Sequence, residues 1–386
     1  MTAMEKNNKT LNVPNLRFPE FSGEWDNGTL QSVATLSKGT GISKDQLSEE
    51  GQPCILYGEL YTKYRSEIID TIISKTDIDP KKLVTSQSND VIIPCSGESA
   101  VDIATARCVK QSNILLGGDL NIIRLKGEHD GSFFAYQLNG RRKYDIAKVA
   151  QGVSVVHLYG EHLKGVKVNY PSAAEQKKIS SLLALIDQRI ETQKKIIEDL
   201  KKLKDAIRTK LFRHMESTCS AYDETRNMLD YEQPTEYLVN STEYSDSYQT
   251  PVLTANKAFI LGYTDEVHGI YDKSDCIILD DFTMDVKYVT FPFKVKSSAI
   301  KILTAKQGVD LYFMYEYLLH LGLVSEEHKR HYISEIEPMT LFRPTLQEQN
   351  RIVQTLKALD MQVQSANRLS DLLLKQKQYI ISQMFI

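Results

Sequence analysis

Two stretches of this chain alternate apolar and polar positions in the 3-4-3-4 rhythm of a helix that buries one stripe. The first opens at Pro171-Ser-Ala-Ala-Glu175-Gln176 and runs to Leu211-Phe212. Its stripe is Leu183, Ile186, Ile190, Ile197, Leu200, Ile207 and Leu211, interrupted by Gln193 and Lys204. The second opens at Pro344-Thr-Leu-Gln-Glu348-Gln349 and runs to Met384-Phe385. Its stripe is Leu356, Leu359, Val363, Ala366, Leu373, Ile380 and Met384, interrupted by Ser370 and Lys377. Proline at the first position, with acid and amide in the first turn, predicts a helix start. Neither stretch holds a Gly or Pro after its opening. The spacing is that of a coiled coil. At 1.5 Å per residue, about 42 residues make a rod of roughly 60 Å.

The two stretches superimpose without a gap at an offset of 173 residues. Pro171 maps to Pro344, Gln176 to Gln349, Asp187 to Asp360, Lys204 to Lys377 and Phe212 to Phe385. A repeat this long means two domain-sized units and not a solenoid. A single rod cannot bury its own stripe. The other copy is the simplest cover, so antiparallel pairing of the two helices is expected; the alternative is that each helix packs on its own globular domain. Lys204 and Lys377 occupy equivalent stripe positions, where a lysine either sets register or carries its head out to water.

Residues 12–170 read as mixed α/β. Pro53 to Tyr61 is β-rich, Ser66 to Lys75 is apolar at helical spacing, and Asp90 to Pro94 and Asn121 to Leu125 are strands bounded by turn residues. Ser96-Gly97-Glu98 and Gly117-Gly118-Asp119 are loop signals, and Ile146 to Ala150 reads as a helix ending near Gly152. Residues 215–342 show kindred pieces: strands at Thr250–Thr254, Asp275–Leu279 and Ala299–Leu303, then a helix from Asp310 to Leu321. The expected fold class is α+β, with two mixed α/β domains each followed by a long helix. The boundaries are 1–170, 171–214, 215–342 and 343–386.

Charge sharpens this picture. The segment 171–213 carries a net +5 and 344–386 a net +2 within a chain of −3, so the remainder sums to −10. A chain that gripped nucleic acid unaided would show the reverse balance. The five cysteines are scattered with no paired motif, so reduced thiols and a cytoplasmic setting are expected and structural zinc is not. No apolar run reaches the about 18 residues of a membrane span, and the polar start lacks a signal core. No Gly-Lys dipeptide, GxSxG, HExxH or GxGxxG occurs, and the eight histidines are dispersed. Asp280-Asp281 is read as a pair of solvated loop acids. Neither a catalytic constellation nor a metal site is expected. Tyr237, Tyr244, Tyr248, Tyr263 and Tyr271 cluster in the second domain, as half-buried core or as an interface.

The chain resembles the specificity (S) subunit of Type I restriction–modification systems. The likeness rests on the doubled Pro-x-x-x-Glu-Gln-x-x-Ile helix opening and on the lead-in Pro14-Asn-Leu-Arg-Phe-Pro-Glu-Phe-Ser-Gly-Glu-Trp25. Cys54 to Thr62 and Gly117 to Asn121 are similar to one recurring target-recognition domain of that family. Thr250 to Thr254 with Phe259 to Glu266 is similar to another. The resemblance implies a non-catalytic subunit in a DNA restriction and phage-defence system. Each target-recognition domain would read one half of a split double-stranded DNA site. The helices would set the spacer and dock two methyltransferase subunits, with restriction/translocase subunits completing the complex. S-adenosylmethionine, ATP and Mg would belong to those partners, and no membrane is involved. Half-sites one helical turn apart lie about 34 Å from each other, within reach of such a helix pair. Base readout needs hydrogen-bonding side chains on loops. The candidates are Lys38, Tyr61, Lys63, Arg65, Ser96 and Gln151 in the first domain, and Tyr248, Gln249, Lys257, Tyr263 and Lys287 in the second. Two other readings remain open: a coiled-coil scaffold that binds proteins without reading DNA, and a nuclease with a scattered carboxylate site.

Overall fold

The computed structural model describes residues 11–254, 259–324 and 330–386. Its main helices are α1 (Gly131–Asn139), α2 (Ala173–Thr218), α3 (Leu311–Leu321) and α4 (Leu346–Met384). The chain forms two compact units. One is Met1–Lys194 with Arg368–Ile386, and the other is Lys195–Asn367. Each unit therefore contains one globular part, a piece of α2 and a piece of α4.

The first unit is built on a sheet of β1 (Ala34–Lys38), β2 (Ile68–Ile69), β3 (Asp90–Pro94), β4 (Arg107–Val109) and β5 (Leu120–Leu125). The spatial order is β1-β5-β3-β4-β2. Every pair is antiparallel except β4 with β2. All five residues of β3 are buried, which explains its unbroken apolar run. Asp90 at its start is buried against Arg124, Oδ2 to Nη2 2.7 Å. A second small sheet joins Leu47–Ser48, Gln52–Ile55, Ser74–Thr76, Val84–Thr85 and Leu115–Leu116.

Two expectations fail here. The helical spacing at 66–75 yields β2 and Ser74–Thr76 instead, because Ile68 and Ile69 complete the edge beside Cys108 and Val109. The run at 53–61 is strand only to Ile55; Glu59–Thr62 then forms one helical turn. The Glu59 carboxylate accepts the Leu56 N–H at 2.9 Å and so ends the extended segment.

The second unit repeats the plan with β6 (Leu229–Glu232), β7 (Thr250–Leu253), β8 (Ile260–Thr264), β9 (Cys276–Asp280), β10 (Val286–Val289) and β11 (Ile300–Ala305). Its main sheet runs β6-β11-β9-β10, the same order as β1-β5-β3-β4. A smaller sheet runs β8-β7-Lys294–Val295. In both units a capped helix follows the strand next to the sheet edge, β5 in one and β11 in the other. Asp130 accepts the Ser132 and Phe133 N–H groups before α1, and Asp310 accepts the Phe313 N–H before α3. Asp280 and Asp281 are buried and not solvated. Asp280 accepts the Phe282 and Thr283 N–H groups, while Asp281 meets Lys301 at 3.3 Å and accepts the Tyr332 N–H at 2.7 Å.

The repeated helix openings have a structural cause. The prolines stand two residues before the helices and not in their first turn, because α2 begins at Ala173 and α4 at Leu346. Gln176 Oε1 accepts the Asp130 N–H at 3.0 Å, and its Nε2 donates to the Pro171 carbonyl at 2.8 Å. Gln349 does the same with the Asp310 N–H (2.7 Å) and the Pro344 carbonyl (2.8 Å). Each glutamine thus ties the start of a long helix to the cap of the preceding domain helix. The paired glutamates diverge. Glu175 is buried and accepts from Arg17 Nε (2.7 Å) and Trp25 Nε1 (3.3 Å). Glu348 instead caps its own helix, accepting the Thr345 N–H at 2.8 Å.

The far ends plug the cores. Phe385 is buried in the first unit against Phe133, ring centroids 5.0 Å apart, and Trp25. Phe212 is stacked on Tyr317 in the second, 5.0 Å apart. In the first unit Ile179 and Leu183 share a cluster with Met384 and Phe385, and Asp187 meets Lys377. In the second, Phe212 and Met215 share a cluster with Ile352 and Val353, and Lys204 meets Asp360. Numbers rise along α2 as they fall along α4 in both units, so the helices pair antiparallel. Leu183, Ile190, Ile197, Leu356, Ala366 and Leu373 are buried, and Ile186, Leu200, Ile207, Leu359, Val363 and Ile380 are half-buried. The interruptions Gln193, Lys204 and Ser370 are buried as well.

Two predictions follow from the helix openings. Gln349→Ala strands a buried N–H and a carbonyl, so urea unfolding followed by circular dichroism should show a loss of about 1–3 kcal/mol. Glu175→Ala leaves Arg17 without its buried partner and should cost about 3 kcal/mol, whereas Glu348→Ala at the equivalent repeat position should cost about 1 kcal/mol or less.

Candidate nucleic-acid interface

In the first unit, β1 ends at Lys38 on the sheet edge, opposite Asn121. The chain then turns at Gly39, whose missing Cβ would lie 2.1 Å from the Gly117 carbonyl oxygen. Asn121 Nδ2 donates to the Leu158 carbonyl at 2.9 Å, and the Leu158 N–H donates to Cys95 O at 2.8 Å. These bonds hold 157–161 along the sheet edge and leave a concave site of about 320 Å³. Lys38, Cys95, Asp119, His157, Tyr159 and Lys164 are among the residues that line it. Burial pushes the Cys95 thiol up to about 11, so it lines the site as a neutral group. Lys38 Nζ lies 3.3 Å from Asp119 Oδ1, with both side chains about half exposed (61% and 48%). Such a pair is weak and easily exchanged for a phosphate.

His157 organises the rim. It pairs with Ser96 in a short two-stranded ladder and exchanges two backbone hydrogen bonds with Gln151, 2.8 and 2.7 Å. Gly152, at φ +120°, allows that tight return, since a Cβ there would meet Val155 O at 2.1 Å. Tyr61 donates its hydroxyl to Ser96 O at 3.2 Å. Burial raises the Tyr61 pKa, which keeps the hydroxyl a donor. The ring of His157 stacks on that of Tyr159, centroids 6.2 Å apart, and Tyr159 is exposed.

Four of the six first-domain candidates, Lys38, Tyr61, Ser96 and Gln151, therefore gather around His157. Lys63 is exposed but its head is paired, with Nζ 2.8 Å from both Glu59 Oε1 and Ser74 Oγ. Arg65 lines a separate cleft of about 920 Å³ beside α2 and α4. Sequence reasoning passed over His157, Tyr159 and Lys164. The i, i+2 spacing of His157 and Tyr159 in the sequence was the available signal.

In the second unit, Tyr248 and Gln249 lead directly into β7, and Tyr263 sits on β8 opposite Pro251. The intervening loop is pinned to β8: Ser245 N–H donates to Tyr263 O at 3.1 Å, and Tyr248 N–H donates to Ser245 O at 3.0 Å. Gly262 leaves room for Tyr244, since a Cβ there would come within 2.8 Å of the Tyr244 Cβ. Lys296 Nζ lies 5.8 Å from the Tyr244 ring centroid. Tyr248, Gln249 and Tyr263 thus share one loop-and-sheet surface. Lys287 is apart from them, half-buried on the edge strand β10. Lys257 lies outside the described residues. Among the described residues, no three His, Cys, Asp or Glu side chains are grouped to hold a metal ion, and no helix is long and apolar enough to cross a membrane.

Residues 22–202 match the family model of the Type I restriction modification DNA specificity domain. A stretch of 110 residues is 51% identical to the Type I restriction enzyme EcoR124I/EcoR124II specificity subunit of Escherichia coli. That match spans 27% of this chain and 27% of the relative. The crystal structure of a Type-I restriction-modification system S subunit from M. genitalium is similar over 97% of this chain and 99% of that one, with a TM-score of 0.61 and 17% identity. A chain from a structure of a type I R-M system covers 94% of this chain and 97% of its own length, with a TM-score of 0.52 and 12% identity. At these identities the solved structures speak for the fold, which is shared along nearly the whole length. The family match covers the first domain and the first long helix as far as residue 202, and the helix opening recurs in the second half, so the chain is similar along its length to the Type I restriction–modification DNA specificity (S) subunits.

Proposed function

We propose that this chain supplies the sequence specificity of a Type I restriction–modification complex. The domain at 1–170 reads one half of a bipartite double-stranded DNA site, and the domain at 215–342 reads the other. The helical segments 171–214 and 343–386 set the unread spacer and dock two methyltransferase subunits, and restriction/translocase subunits complete the assembly. Family members of this kind are non-catalytic. S-adenosylmethionine, ATP and Mg²⁺ belong to the partners, which also provide the pocket for a flipped base. The complex works in the cytoplasm.

The observation that carries this reading is the hollow around His157. Its rim holds what base readout requires: a hydroxyl, an amide, an imidazole and a lysine on loops and edges, braced from behind by a sheet. Tyr159 offers a flat exposed face, and Lys38 can exchange Asp119 for a phosphate. In the second domain Tyr248, Gln249 and Tyr263 form the corresponding surface. The acidic balance of the globular parts fits a subunit whose partners contribute much of the phosphate contact.

Methylome sequencing of the host with and without the gene tests the proposal. One split motif should lose N6-methyladenine across the genome when the gene is removed, and an unchanged methylome in a strain expressing the chain would reject it. In the same assay, Gln151→Ala with His157→Ala should relax only one half of the motif, and Tyr248→Ala with Gln249→Ala only the other. Lys38→Ala should weaken DNA binding by the assembled complex evenly across sequences and reduce the salt slope by about one.

A further inference from the structure

Each unit holds one buried polar node on the seam between α2 and α4. In the first, Lys377 Nζ lies 2.6 Å from Asp187 Oδ1 and 2.5 Å from Glu67 Oε2, and the Tyr136 hydroxyl donates to Asp187 Oδ2 at 2.7 Å. In the second, Lys204 Nζ lies 2.5 Å from Asp360 Oδ1 and 2.7 Å from Glu316 Oε1, and the Tyr312 hydroxyl donates to Asp360. The lysine head sits over the tyrosine ring in both, 5.4 and 5.9 Å from its centroid. Neither lysine carries its charge out to water: the side chains are 13% and 11% exposed.

The lysine and aspartate of each node are repeat equivalents, but their supports are not. Tyr136 is six residues past the capping Asp130, and Tyr312 is two past the capping Asp310. Glu67 precedes β2, while Glu316 belongs to α3. Two domains that differ strongly in sequence deliver the same two groups, a tyrosine and a glutamate, from different places. That convergence is hard to assign to shared ancestry alone.

A buried lysine is tolerated only where carboxylates meet it, and this makes the node selective. Sliding the helices by one heptad would set Lys204 against Val353 or Asn367, and Lys377 against Ser180 or Lys194. Each slip removes both aspartates from both lysines, whereas an apolar stripe would tolerate it. We infer that Lys204–Asp360 and Lys377–Asp187 are the residues that fix the register of the helix pair, and through it the spacer length the protein recognises. The spacer clause rests on the function proposed above; the register clause does not.

Disulfide trapping in the purified full chain tests the register. Ile190→Cys with Leu374→Cys reports the observed register, since both positions line one cleft of the first unit. Ile190→Cys with Ile381→Cys reports a one-heptad slip, and peptide mapping separates either bond from the native thiols. With intact nodes only the first pair should close. The nodes are then made apolar by Lys204→Met, Asp360→Leu, Lys377→Met and Asp187→Leu, with Glu67→Gln. In that background the preference for the first pair should fall about tenfold while helicity persists. Retained helicity with an unchanged preference overturns the inference. If the combined variant loses its helicity, Lys377→Met, Asp187→Leu and Glu67→Gln alone are read in the same way; loss of helicity there too assigns the node to stability and overturns the inference. Methylation of sites with mixed spacers would extend a positive result to recognition, and a failed methylome would leave the trapping result standing.

Discussion

An apolar stripe on a helix of 46 residues demands cover that the helix cannot provide, and the rest of this fold is arranged around that demand. The chain meets it with a second copy of the same helix run antiparallel. Each helix is then held at both ends. A glutamine binds its start to the cap of a domain helix, and a phenylalanine closes its far end into a core. The globular parts are pinned by those contacts, which leaves their loops and sheet edges free to diverge.

That freedom shows in the two domains. Their central sheets share one strand order, and both place an aspartate-capped helix after equivalent strands, β5 and β11. Their candidate surfaces have different chemistry: a histidine–tyrosine hollow at a sheet edge in one, a tyrosine-rich loop over a small sheet in the other. Several of their cations are also spent internally. Arg107 donates to the carbonyls of Leu60 and Tyr64, Lys294 to those of His268 and Gly269, and Lys301 is wholly buried against Asp281 and Tyr231. Fewer basic heads face solvent than the sequence suggests, so the domains are poorer phosphate binders than their lysine content implies.

The long helices, their pairing and the kinship of the two domains were legible in the sequence, because a seam periodicity sustained for six turns has few physical explanations. Short apolar runs were not. Ser66 to Lys75 has helical spacing, but the sheet edge at Cys108 and Val109 decided its conformation. Asp280-Asp281 looked like solvent-facing acid until the segment at 331–332 folded back onto it. Lysine at a seam has two outcomes that one helix cannot distinguish; the carboxylates that decide between them are Asp187 and Asp360 on the facing helix and Glu67 and Glu316 in the domains. At the candidate interface, polarity and turn signals were enough to select Lys38, Ser96 and Gln151. They could not reveal that the Lys63 head pairs with Glu59, since that depends on a helical turn inside an apparent strand.

The placement of Phe385 carries a consequence for how the molecule comes into being. Its ring packs on Trp25 and Phe133, so the core of the first unit is completed by a residue translated after the whole of the second unit. The core of the second unit is closed earlier, by Ile352, Val353 and Leu356 at the start of α4. During synthesis the last core residues of the second unit therefore become available before those of the first. A ribosome that stops within the last turns of α4 would spoil recognition at the opposite end of the coding order from the lesion.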